Sequence, residues 1–411
     1  MGEFPLPLTD MLGQNGAYLV YLVIGFAFGY TLEIAGFGKS TKLAAQFYLR
    51  DMTVLKVMFS AIVVAMVLIF LTSGLGLLDY NLIWVNPTYL WPGIIGGLIM
   101  GVGFIVGGFC PGTSIVSAAT FKIDGIVFVL GVFFGIFLFG ETVGLYEGFW
   151  HSSYMGRFTL PELFNADTGV VVVGVVIMAL AAFAFAEFME KRFGDRTQLT
   201  FPRWRFSAAG AVLAVGVTTL LVGQPTNADK WAAIAPEQEA RLNERAVQIH
   251  PMELLTYMND RGIITYVIDV RSESDFNQFH LIDAHHIPLA SLLGTVSDLH
   301  LQPDNTLFVI TSNDETAATE AWKILTAEAV PNVYILEGGI NGWLTTFGDE
   351  EFKQQSFIAD HPDDRLAYAF PLALGQRFPA ANPNHDVFED VEYTSKVVLT
   401  IKRGATSGGC G

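Results

Sequence analysis

Two cysteines are the only thiols in a chain of 411 residues, and each stands among small residues. Cys110 lies in "GGFCPGTS" (107–114), at the end of an uncharged run from Leu90 to Phe109, and Cys410 lies in the terminal "TSGGCG". A thiol can ligate a metal, pair as a disulfide, attack a sulfur leaving group, or make a weak S–H contact. Two cysteines this far apart supply neither a metal-ligand spacing nor a disulfide framework. What remains is contact with, or attack on, a substrate atom, beside the plain alternatives of a small buried hydrophobe for Cys110 and an exposed terminal thiol for Cys410. Gly108, Pro111, Gly112, Thr113 and Ser114 surround Cys110 with a backbone free to turn and with hydroxyls at helix-capping positions.

The elements that must position Cys110 are membrane spans. Hydrophobic residues make up 52% of the chain and charged ones 15%, and the apolar part is concentrated before residue 224. Six stretches are long and apolar enough to cross the hydrocarbon core: 15–35, 53–74, 90–109, 124–146, 168–187 and 206–223. Trp84, Trp91, Trp150 and Trp204 stand near their ends, where interfacial anchors belong. Lys39, Lys42 and Arg50 follow the first span, and Lys191, Arg192, Arg196, Arg203 and Arg205 follow the fifth. That bias puts both connectors in the cytoplasm and the N-terminus outside. The sixth span has a basic start, a short apolar core and small residues behind it, the grammar of an internal export signal. It sends the soluble half, from about 225 on, to the periplasmic side of a cytoplasmic membrane. A net charge of −17 argues against nucleic acid as a partner.

Displaced by 72 residues, "GFAFGYTLEIAGFGKST" aligns with "GLIMGVGFIVGGFCPGT". Gly36 falls on Gly108, Phe37 on Phe109, Gly38 on Cys110 and Thr41 on Thr113. The fold class expected is a polytopic α-helical membrane protein with two internal repeats (helix, Gly-rich break, half-helix, helix), followed by a C-terminal α/β domain. The half-helices, about 40–49 and 113–121, are to start with free N–H groups capped by Ser40, Thr41, Thr113 and Ser114. Two such ends converging make an anion site. The competing reading is that the glycines serve helix packing, above all Gly25, Gly29, Gly97 and Gly101. Glu33 and Glu141 are intramembrane acids near span ends, functional candidates by default. Lys39 and Lys42 either draw an anion inward or only obey the charge bias.

At these residues the membrane half resembles the YeeE/YedE sulfur-transport family, over roughly 15–224. The resemblance implies a permease for thiosulfate or a related small sulfur compound, with cysteines at the constricted breaks touching its sulfur. Cys110 matches such a position. Gly38 stands where a second thiol would be, so a relay of several thiols is not implied. The translocation residues on this reading are Cys110, Gly108, Pro111, Gly112, Thr113 and Ser114 on one side and Gly36, Gly38, Ser40 and Thr41 on the other.

Residues 225–248 read as a helical linker. Beyond them, β-type runs at 265–270, 306–311 and 332–336 alternate with helical patterns, which points to a parallel sheet. "IDVRSESDFNQFHLIDAHHIPL" and "GGINGW" make 249–347 similar to a rhodanese domain, with Phe279 where that family commonly has glycine. His280, His285 and His286 fit that scaffold and not a metal set, and no cofactor motif is found. Where the resemblance requires the cysteine nucleophile, the sequence has Thr311, leading into Ser312, Asn313, Asp314, Glu315 and Thr316. Threonine cannot carry a persulfide, and two carboxylates repel a dianion. The domain is therefore expected to assist capture or hand-over rather than act as an enzyme.

The remainder, 348–411, ends in a strand-like run and the Cys410 tail, whose "GGCG" resembles the terminus of SoxY-type sulfur carriers. This supports the alternative of a membrane-anchored sulfur carrier or sulfurtransferase working through Cys410. A docking platform for soluble sulfur-carrier or sulfur-oxidation proteins is a third reading. The implied partners are a sulfur anion, the lipid bilayer and such proteins.

Overall fold

The computed structural model describes residues 4–83, 85–194, 204–358, 363–370, 377–388 and 390–400. Trp84, Arg196, Arg203 and Cys410 lie outside the described residues. The chain divides into two compact units at Gln224 and Pro225, each with its own interior.

The first unit is helical. Its elements are α1 (Leu8–Ile34), α2 (Ser40–Ala44), α3 (Thr53–Gly74), α4 (Leu90–Gly107), α5 (Pro111–Ala119), α6 (Ile123–Thr142), α7 (Glu147–Trp150), α8 (Leu160–Phe164), α9 (Thr168–Phe193) and α10 (Trp204–Val222). Among the described residues five or six of these helices are long and apolar enough to cross a membrane. The first starts earlier than its apolar composition suggests, because α1 carries a kink at Gly13 (φ 68°) that joins a short leading turn to the span. Apolar side chains such as Leu98, Val106, Phe133 and Phe137 face outward from α4 and α6, as lipid-facing residues do.

Two places bring these helices close. Val63 and Val67 of α3 pack with Val172, Val176 and Ala179 of α9, beside Val212 and Leu213 of α10. Phe37, Leu43, Val54 and Phe109 form a second cluster around the turns that precede α2 and α5. Glu190, near the end of α9, fastens the start of α3: its carboxylate accepts the Met52 N–H and pairs with Lys56, both at 2.6 Å.

The second unit is an α/β domain, whose helices are α11 (Asn227–Asn243), α12 (Pro251–Met258), α13 (Glu273–Gln278), α14 (Leu292–Leu299), α15 (Thr316–Ala327), α16 (Gly339–Phe347) and α17 (Glu350–Ser356). Its sheet has strands β1 (Gln248–Ile249), β2 (Ile264–Asp269), β3 (His285–His286), β4 (Thr306–Thr311) and β5 (Val333–Leu336), in the order β1-β5-β4-β2-β3. Every pairing is parallel. The central strand β4, "TLFVIT", is buried at all six positions, as a strand covered on both faces must be. The covering helix α15 (Thr316–Ala327) turns Ala318, Ala321, Trp322 and Leu325 inward, the i, i+3, i+4, i+7 stripe of an amphipathic helix. On the opposite face α12 (Pro251–Met258) and α16 (Gly339–Phe347) enclose a core with Leu254, Trp343 and Leu344.

The stretch read as a linker is helix α11 (Asn227–Asn243), and it is packed rather than free. Trp231 and Leu242 lie on the α15 side of the core, and Asn227 and Lys230 both bond Glu328. The terminal run expected to be a strand has no regular secondary structure over 391–400 and joins no ladder. It is held by side chains instead: the buried Glu253 carboxylate accepts from Ser395 Oγ and from the N–H groups of Lys396 and Val397. Tyr334 Oη then takes the Val398 N–H and Asn332 Oδ1 the Thr400 N–H.

Candidate functional site

The helix α4 ends at Gly108, whose φ of 70° is the left-handed conformation that terminates helices. Seventy-two positions earlier Gly36 has φ 80° at the end of α1. The same offset relates Leu49 (φ 57°) to Phe121 (φ 58°), two non-glycine residues held left-handed at the close of the short segments. Phe37 and Phe109, next after each glycine, are fully buried. The two breaks also touch. A Cβ on Gly108 would lie 3.0 Å from Ser40 Cβ and 3.2 Å from the Ser40 carbonyl oxygen, a tight fit on a backbone that already favours glycine.

Cys110 is the N-cap of α5, with Pro111 at the first helical position. Its sulfur accepts the Thr113 N–H at 3.4 Å, and Thr113 Oγ1 accepts the Cys110 N–H at 3.0 Å. This is a capping box with a thiol in the place of the usual hydroxyl. Sγ and Thr113 Oγ1 are 3.2 Å apart, so the thiol hydrogen can go to Thr113 or to a neighbouring acceptor. The sequence had assigned the capping to Thr113 and Ser114. Instead Thr113 is the reciprocal partner, and Ser114 Oγ turns back to the Pro111 carbonyl at 2.7 Å. Because Pro111 has no N–H and Cys110 consumes that of Thr113, Gly112 carries the one unpartnered N–H of this turn among the described residues. Thr113, Ser114 and Ser117 are all buried along α5, and the Ser117 hydroxyl has no hydrogen-bond partner among the described residues.

The other break is built differently. The segment α2 has five residues, opens at Lys39 with no side-chain cap, and so has little dipole to offer. Ser40 and Thr41 are its first two residues and not its caps. Ser40 Oγ donates to Asp124 Oδ2 at 3.0 Å, and Lys42 Nζ donates to the Ala35 carbonyl at 2.6 Å. Over Gly38 lies an ion pair between Glu33 and Lys122, with Nζ 3.0 and 3.4 Å from the two carboxylate oxygens. Sequence reasoning singled out Glu33 but missed Lys122 and Asp124, whose partners are 89 and 84 positions away. The charges in the short α5–α6 connection were the available signal. With 29% and 40% of the two side chains exposed, a bridge of this kind contributes on the order of 0.2–1 kcal/mol. Glu141 lies on α6 and joins none of these contacts.

In the second unit Thr311 ends β4 fully buried, and its hydroxyl donates to the Ser312 carbonyl at 3.4 Å. The loop after it is filled by its own side chains. Ser312 Oγ accepts the Ala318 N–H at 3.0 Å and donates to the Asp314 carbonyl at 2.7 Å. The Asp314 carboxylate accepts the N–H groups of Thr316 and Asp364, each at 2.7 Å. Burial works to raise the Asp314 pKa, but these N–H bonds prevail and hold it below the usual carboxylate value. Glu315 accepts the Gly338 N–H at 2.8 Å and a two-pronged grip from Arg245 at 2.7 and 3.1 Å. Asn313 binds Arg271, Asp275 and the Asp364 carbonyl. Beneath the loop Arg271 and Asp269 form a buried bidentate pair, completed by the Phe279 carbonyl. His280 and His286 stack on Phe276, and His285 on Tyr266; no metal-binding group of three or more His, Cys, Asp or Glu occurs among the described residues.

Residues 35–239 match the sulphur transport family, and residues 250–346 match the rhodanese-like domain family. The membrane part belongs to the sulphur transport family. The chain thus joins a membrane part of that family to a rhodanese-like domain. A probable molybdopterin-synthase adenylyltransferase of Pyropia yezoensis is 31% identical to this chain over 103 residues, 25% of the chain and 26% of that protein. The chain therefore spans about a quarter of that relative's length. No solved structure matches the chain.

Proposed function

We propose that the protein moves thiosulfate, or a similarly small sulfur anion, across the cytoplasmic membrane. The observation that carries this reading is the Cys110 thiol, set at a left-handed break against the second break and at the positive end of α5. Thiosulfate has a soft sulfane sulfur and a hard, charged oxygen end. The thiol suits the first, as an S–H donor and polarizable contact. The Gly112 N–H and the α5 dipole suit the second. Transport needs only these weak contacts, so no covalent step at Cys110 is included. The matching left-handed residues at the 72-residue offset support a repeat that builds one site from two related halves.

The rhodanese-like domain on this proposal captures or hands over the substrate without turning it over. Its β4–α15 loop spends on Asp314 and Glu315 the N–H groups of Thr316, Asp364 and Gly338, and Thr311 supplies no sulfur nucleophile. The periplasmic placement of this domain remains part of the proposal, from the charge bias of the connectors. A carrier role for Cys410 would leave persulfide or thiosulfonate adducts on that residue, detectable by mass spectrometry of protein from sulfur-fed cells.

The test is uptake of radiolabelled thiosulfate by cells lacking their own importer. Wild type takes up label and Cys110→Ala does not. Absence of uptake by the wild type would overturn the proposal.

A further inference from the structure

We infer that Lys122 is the fixed cation that receives the charged end of the substrate at a second point on its path, apart from the Cys110 end of α5, and that Glu33 is its displaceable counter-ion. This rests on the transport reading above. Lys122 sits at the joint of two helices: it is the N-cap of α6, and its N–H donates to the Ser117 carbonyl near the end of α5 at 3.2 Å. The other end of α5 bears Cys110, and the nine residues of that helix span about 14 Å at 1.5 Å per residue.

The ion pair fills a space that the sequence leaves for it. A Cβ at Gly38 would lie 2.7 Å from Lys122 Nζ and 3.3 Å from the Glu33 carboxyl carbon. Gly38 is the position that aligns with Cys110, so at one break the aligned place holds a thiol and at the other an ammonium lies over bare backbone. The neighbouring cation Lys42 is already committed to the Ala35 carbonyl at the end of α1. Of the carboxylates nearby, Asp124 is held by the Ser40 hydroxyl, which leaves Glu33 as the one paired with Lys122.

Glu33 grips Nζ with two oxygens of a delocalised anion, an arrangement that the oxygens of a sulfur oxyanion reproduce. The bridge is partly exposed and weak, so a dianion can take it over at little cost. Displacing Glu33 also unfastens α1 from the α5–α6 joint, which ties arrival of the anion to release of the helix that leads into the first break.

The experiment is a concentration series of labelled thiosulfate uptake in cells without their own importer, with membrane levels of each variant measured alongside. Lys122→Gln is expected to raise KM about tenfold or more, and Lys122→Arg to stay within about threefold of wild type. Glu33→Gln, which frees the ammonium, is expected to lower KM. A merely structural bridge would make both Gln variants fail in the same direction, and that result overturns the inference. Unchanged KM in both overturns it too while leaving transport by the wild type standing. No uptake by the wild type removes both. Should Lys122→Gln fail to reach the membrane, the thermal shift that thiosulfate produces in purified wild type and Glu33→Gln decides. A larger shift in Glu33→Gln is expected, and an equal or smaller one overturns the inference.

Discussion

Cys110 and Thr113 satisfy each other's backbone: the sulfur of the first takes the N–H of the second, and the hydroxyl of the second takes the N–H of the first. One residue is therefore both helix cap and candidate substrate contact. The two roles separate by substitution. Cys110→Ser keeps a capping side chain and should unfold close to wild type, whereas Cys110→Ala should lose about 1 kcal/mol of local stability. Thiosulfate uptake should fall in both, because neither replacement offers sulfur. Uptake retained by the serine variant would mean that the cap alone matters; labelled uptake and thermal unfolding of the purified protein give the two readings.

Gly108→Ala meets two obstacles, a left-handed backbone and the Ser40 side chain 3.0 Å from the added carbon. The backbone conformation alone costs about 1–2 kcal/mol for a residue with a Cβ. Gly36→Ala has the same backbone cost but meets only the flexible end of Lys42. The Gly108 variant should therefore be the less stable of the two and the poorer in uptake. Equal melting temperatures would contradict the contact between the breaks.

Arg271→Met strands the buried Asp269 carboxylate and removes partners from Asn313 and the Phe279 carbonyl. Loss of one member of a buried pair costs about 3–5 kcal/mol. The rhodanese-like domain of the full chain should become sensitive to protease at temperatures where wild type resists it. The double variant Asp269→Asn, Arg271→Met should recover part of that loss.

Asp364 lies where burial, and then the charge of Asp314, raise its pKa above the ordinary carboxylate value. A raised carboxyl pKa in the folded state favours folding below the unfolded pKa and loses that contribution as pH rises through the folded pKa. Asp364→Asn should then stabilise the domain at pH 7, with the gain shrinking as the pH is lowered through the carboxylate range. Melting temperatures of wild type and variant across that range check it. A gain that grows toward acid would contradict the sign.

The membrane spans and the β4 and β5 strands were legible because each is a local pattern: a long uncharged run, or a short one between turn residues. The thiol and both glycine breaks were legible for the same reason, from glycine, proline and hydroxyl residues gathered in a few positions. The capping role of Cys110 was hidden by a preference for hydroxyls at that place, since sulfur is seldom considered as an acceptor for a backbone N–H. The Glu33–Lys122 and Ser40–Asp124 contacts were not legible, because only folding brings the first break against the α5–α6 joint. The carboxylates of the β4–α15 loop were legible as charges that an anion would meet. That they would turn inward and use the loop's own N–H groups depended on Asp364, fifty residues further on.

Segment 395–400 is held along the sheet from one grip to the next. Glu253 grips it at one end, and Asn332 takes the Thr400 N–H just ahead of β5, next to the Thr306 carbonyl where β4 begins. Thr311 and Ser312 lie at the far end of that strand, about 17 Å away at 3.3 Å per residue. Thr400 is therefore held at the rim of the sheet opposite the Thr311 loop, with the length of β4 between them.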